Sequence, residues 1–116
     1  MNNKITYSMN TFTGEHEIMY LRDVGALYYV HIIKKIEGAY GTQFIALVDG
    51  MTTAYALPTI KAFSESLTVG TYYKITYLGE HLFDNGYTKH EYDIQIISQA
   101  EYDSKAPDNF NDDKKY

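Results

Sequence analysis

Between Leu27 and Ile97 the hydrophobic pattern switches from strand to helix and back once, and this narrows the folds open to the chain. LYYVHIIKKIE, residues 27–37, is rich in β-branched and aromatic residues, with Gly25 before it and Gly38 and Gly41 after it, which predicts a long strand. TQFIALVD follows and ends at Asp49-Gly50, a dipeptide suited to a tight turn because Gly accepts positive φ; MTTAYAL comes next, so the second and third strands are expected to pair antiparallel. At Pro58 the period changes. Ile60, Phe63 and Leu67 fall on one face of a short helix, with Pro58 near its first turn and Gly70 closing the unit. TYYKITYLG and KHEYDIQII then resume strand character on either side of Asp84-Asn85-Gly86, with Tyr92, Ile94 and Ile96 alternating inward.

Three strands, one helix and two strands is the element order of the OB-fold, a small five-stranded Greek-key barrel, and an all-β domain with one short helix is the expected fold class. At 116 residues the chain is long enough for one hydrophobic core and one domain. Residues 1–21 carry scattered apolar positions and predict a short strand or arm, residues 22–100 the barrel, and residues 101–116 a flexible acidic tail. That last segment, EYDSKAPDNFNDDKKY, has too few apolar groups to offset its ordering entropy.

Composition removes several function classes. The chain has no Cys, which rules out disulfide scaffolds, thiolate metal sites and cysteine nucleophiles. No apolar run approaches the roughly 20 residues that span a bilayer, and MNNKITYSMN lacks the apolar block of a signal peptide, so a cytoplasmic protein without membrane contact is expected. GxSxG, P-loop and HExxH motifs are missing. Glu15-His16-Glu17 and His90-Glu91-Tyr92-Asp93 hold metal-capable groups, but neighbours on a strand point to opposite faces, so neither forms a ligand set alone. Neither an enzyme nor a bound metal or cofactor is expected.

The bias that stands out is aromatic: 13 Tyr and 5 Phe with no Trp, in a chain of net charge −5. That charge argues against broad electrostatic capture of duplex DNA. Tyrosine, with a flat face and a polar tip, suits half-exposed β-surfaces that bind planar groups, although it serves a Tyr-rich core equally well. Strand alternation sets Tyr73, Ile75 and Tyr77 against Tyr72, Lys74 and Thr76, and the second set has the look of a ligand face. On the first strand neither face is cleanly apolar, and a bulge near Lys34 would resolve the register.

The long strand YYVHIIKKIE, the Asp49-Gly50 hairpin, the TAYALP step into the helix, and GTYYKITYLG before a DNG loop make residues 22–97 resemble the small OB-fold single-stranded DNA-binding proteins of tailed phages, particularly those of Gram-positive hosts. The resemblance implies protection of single strands during replication and recombination. Non-specific single-strand binders combine base stacking on aromatics with cations that track the backbone. By analogy with OB-fold grooves, Tyr40 in one loop and Phe83 with Tyr87 in another would form stacking walls, joined by Tyr72, while Lys34, Lys35, Lys74 and Lys89 would accept phosphates. The family's acidic C-terminal peptides recruit replication and recombination proteins; Asp108, Phe110, Asp112 and Asp113 match in type, although this chain ends Lys-Lys-Tyr. Pairing of copies into a dimer or tetramer would add avidity. The alternative reading is an OB-fold protein-interaction module that engages host or phage proteins through its tyrosines.

Overall fold

The computed structural model describes residues 9–10, 16–38 and 41–110. The chain is mostly strand and forms one curled, open sheet shaped like half a barrel, with two helices. The predicted core elements come in the predicted order: β3 (Leu27–Gly38), β4 (Gly41–Val48), β5 (Ala54–Ala56), α1 (Lys61–Ser66), β6 (Tyr72–Leu82) and β7 (Thr88–Ile97). The sheet is not five-stranded, however. Two-residue segments β1 (Met9–Asn10) and β2 (Ile18–Met19) join it, giving the order β1-β2-β5-β4-β3-β6-β7, with β2 parallel to β5.

The interior follows from strand alternation. Tyr28, Val30 and Ile32 on β3, Phe44, Ala46 and Val48 on β4, and Tyr73 and Ile75 on β6 form the core, which Leu57, Phe63 and Leu67 close from the side of α1. α1 follows the i, i+3, i+7 spacing read from the sequence, and its Phe63 ring lies 4.9 Å from that of Tyr92. Pro58 lies ahead of the helix, whose N-cap is Ile60. β2 and the link from it to β3 also enter the core, through Met19 and Leu21 respectively, both fully buried. Tyr92 donates to the Tyr20 carbonyl at 3.0 Å and so ties this link to β7.

The β3–β4 ladder shifts register between Ile32 and Lys34, at the position where the sequence called for a bulge. Two expectations need correction. Ile96 shares a face with Tyr73 but lies past the end of the core, 74% exposed. The third strand is cut to Ala54–Ala56: Asp49 and Gly50 do form a tight turn, both at positive φ with the Met51 N–H bonded to the Val48 carbonyl at 3.0 Å, but pairing resumes only at Leu47 with Ala54.

The larger correction concerns the C-terminus. Residues expected to be a flexible tail form α2 (Gln99–Phe110), which packs on β3 and β6. Ser98 Oγ accepts from the Glu101 N–H at 3.0 Å, an N-cap with Glu at the third helical position. Tyr102, Ala106 and Asn109, at i, i+4 and i+7, face the sheet. Tyr102 Oη accepts from the Gly50 N–H at 3.2 Å, and Asn109 Nδ2 donates to the Leu27 carbonyl at 2.6 Å and to Asp49 Oδ1 at 3.1 Å. A few well-placed contacts thus hold a mostly polar helix that composition alone would leave unfolded.

Gly50 sits where this helix meets the turn. Its φ is +78°, and a Cβ there would come within 3.0 Å of the Pro107 backbone. Gly50→Ala is therefore expected to cost about 1–3 kcal/mol, read as a lower urea midpoint.

Candidate nucleic-acid interface

Register decides which of the eight predicted site residues share a surface. Tyr72 stands opposite His31 and Ile97, and Lys74 opposite Tyr29 and Gln95, all on the outer face of the sheet, away from the core. Along β7 the same parity carries Gln95 to Asp93, Glu91 and Lys89, and His81 pairs with Lys89. On β3 the bulge sets Lys34 opposite Ile45, again on the outer face. Lys34, Tyr72, Lys74 and Lys89 therefore share one side.

Lys35 does not. It pairs with Phe44, a core residue, and its Nζ lies 3.3 Å from Glu37. Glu37 in turn accepts from Thr42 Oγ1 at 2.7 Å, and these bonds, the Thr42 hydroxyl first and then Lys35, hold its carboxyl below the usual range. Among the described residues no carboxylate pairs with Lys34, Lys74 or Lys89, which leaves these three cations available to an anion.

The two arms that carry the loops expected to wall a groove project from opposite ends of the sheet. β3 and β6 run antiparallel and pair only through residues 27–31 and 72–76, so the β3–β4 arm extends beyond one end of the sheet and the β6–β7 arm beyond the other, along a molecule 48 Å long. Tyr40 lies outside the described residues. Phe83 and Tyr87 stand at the tip of the β6–β7 arm, 40% and 69% exposed, where the Phe83 N–H bonds to the Tyr87 carbonyl at 2.8 Å. Phe83 is not folded into the barrel; its ring meets His81 edge-on at 4.5 Å. His81, Phe83 and Lys89 give the tip of this arm two rings and one cation on its outer side, with Glu91 and Asp93 following on the same side nearer the sheet centre, and His81 is a member that the sequence reading missed.

Between the arms the outer face is aromatic. The His31 and Tyr72 rings stack at 4.0 Å and 11°, and Tyr102 of α2 lies 5.2 Å from Tyr72 and 6.2 Å from His31. Tyr29, beside them, is buried under Tyr102 and Ala106. Tyr72 thus stands on the expected face but against the helix. The missed partner carried a signal: Ser98-Gln99-Ala100-Glu101 has the capping-box spacing, with Tyr102 directly after it. Of the tail residues matched to a recruiting peptide, Asp108 is exposed on α2 and Phe110 ends it, while Asp112 and Asp113 lie outside the described residues.

On the opposite side, Tyr77 and His90 form a second polar cluster: Tyr77 Oη lies 2.7 Å from His90 Nδ1, and Glu80 sits 3.8 Å from His90 Nε2. Tyr77 is only 5% exposed, and its phenol is raised by that burial, by Glu80 in smaller part and against the pull of Arg22, so it is poorly placed as a nucleophile. Among the described residues no group of three or more His, Asp or Glu could hold a metal ion, and no helix is long and apolar enough to cross a membrane.

A scan of protein-family models finds no match, and neither the curated proteins nor the solved structures searched contain one.

Burial lowers the pKa of His31, and nearby Asp103 opposes the shift. The folded state therefore favours the neutral ring. The stability this confers is fully present above the unfolded value of about 6.5 and declines as pH falls below it. Urea midpoints should drop between pH 7.5 and pH 5.5, and His31→Gln should flatten that part of the profile.

Proposed function

We propose that this protein binds single-stranded DNA along the outer face of an OB-like half-barrel, by base stacking and backbone contact, in the service of phage replication and recombination. The observation that carries the reading is the placement of Lys34, Lys74 and Lys89, without a carboxylate partner among the described residues, on the face that also bears Tyr72 and His31 and continues to Phe83 on the projecting arm. Each stacked base contributes roughly 1–3 kcal/mol, so a few ring platforms offset the repulsion from a net-negative chain, and the lysines give the sugar-phosphate backbone its path. The five core strands with α1 between the third and fourth follow OB order, and the open sheet with its N-terminal additions is a variant of that plan.

The exposed side chains of Leu78, Leu82 and Ile96 favour a second reading, a module that docks other proteins. Titration with oligothymidylate separates the two. Single-strand binding predicts quenched tyrosine emission, slower tumbling and affinity that falls with salt. Lys74→Ala should reduce the salt slope by about 1, and Phe83→Ala should weaken binding by roughly 1–3 kcal/mol without lowering the urea midpoint. A saturating oligonucleotide that changes neither emission nor tumbling would remove the DNA reading and leave the protein-docking one.

A further inference from the structure

The outer face presents a conflict that points beyond binding itself. Its flattest aromatic surface, the stacked His31 and Tyr72 pair, has α2 laid against it, and the group that approaches these rings is another ring, that of Tyr102. Glu101 and Asp103 flank Tyr102 along the helix, so the helix offers the sheet a planar aromatic group beside negative charge, as a nucleotide would. The attachment is modest. Among its described side chains Tyr102 and Ala106 are buried, and its ties to the sheet include Tyr102 Oη to Gly50 and Leu47 and Asn109 to Leu27 and Asp49. Ser98 alone separates α2 from β7, and none of the described side chains of the helix belongs to the main core cluster, so the helix can pivot off the sheet without disturbing that cluster.

We propose that α2 is a displaceable cover on the single-strand site, and that the helix and a DNA strand occupy the His31 and Tyr72 surface in turn. This rests on the single-strand reading and adds a control to it. Binding selects the state in which the helix is lifted, so apparent affinity scales with the lifted fraction. Release also frees the Tyr102 and Ala106 side of the helix, and bound DNA raises the fraction of molecules in which that side is free.

Two full-length variants test this without touching the outer-face rings or lysines. Ser98→Ala removes the N-cap, and Asn109→Ala removes the bonds to Leu27 and Asp49; each is expected to raise the lifted fraction, and with it the affinity for fluorescein-labelled oligothymidylate, about three- to tenfold. In the unsubstituted protein, oligothymidylate should speed amide hydrogen exchange across residues 99–110 while leaving β3 and β6 protected. Binding by all three proteins with equal affinity, with exchange in α2 faster in the variants, would show that the helix does not compete. Slower exchange in α2 on DNA binding would make it part of the interface. Either result overturns the cover and leaves the single-strand reading standing. If none of the three proteins binds, the single-strand reading falls and takes the cover with it.

Discussion

A phenolic hydroxyl carried into a protein interior must find a partner there, and the fold of this tyrosine-rich chain is organised around meeting that demand. Tyr28 Oη accepts from the Asp23 N–H at 3.0 Å, Tyr73 Oη accepts from the Thr68 N–H at 2.9 Å and donates to the Ser66 carbonyl at 3.2 Å, and Tyr92 donates to Tyr20. Each ring fills the core while its tip fastens a segment outside the main strands. Burial pushes the Tyr28 phenol up to about 12, so it stays protonated at any physiological pH. Tyrosine here is first a building material, and only the rings left over on the outer face are open to another use.

Asp49 plays the complementary part on the outer side. Its N–H bonds to the Tyr29 carbonyl and its Oδ1 accepts the Tyr29 N–H, both at 2.7 Å, so the side chain extends the β3–β4 ladder one step beyond Val48. The fully buried carboxylate also receives Asn109. One residue thereby joins the end of a ladder, a left-handed turn and the docking of α2.

The parts of the fold that were legible in the sequence are those set by local period. Alternation gave Tyr73, Ile75 and Tyr77 as inward and Tyr72 and Lys74 as outward, and the conflict between Val30 and Lys34 on a single strand demanded the bulge that is present. The parts that were not legible depend on distant partners. Nothing near Tyr102 shows that Gly50 and Leu47 await its hydroxyl, and the low apolar content of its segment argued for disorder, while the cap at Ser98 was a local cue overlooked. Which lysines share a side turned on one inserted residue at Ile33, which moved Lys34 outward and sent Lys35 to the face of Phe44. That the β3–β4 and β6–β7 arms project from opposite ends follows from antiparallel pairing, which element order alone does not express.

The single residue between β7 and α2 has a further consequence. A helix of 12 residues is about 18 Å long, and tethered at Ser98 it would sweep a small volume around its own berth even when lifted. Its return is therefore intramolecular, at a local concentration on the order of millimolar, and insensitive to dilution of the protein. Any strand lying on that surface would meet a rival that never diffuses away, which favours quick exchange of DNA over prolonged storage.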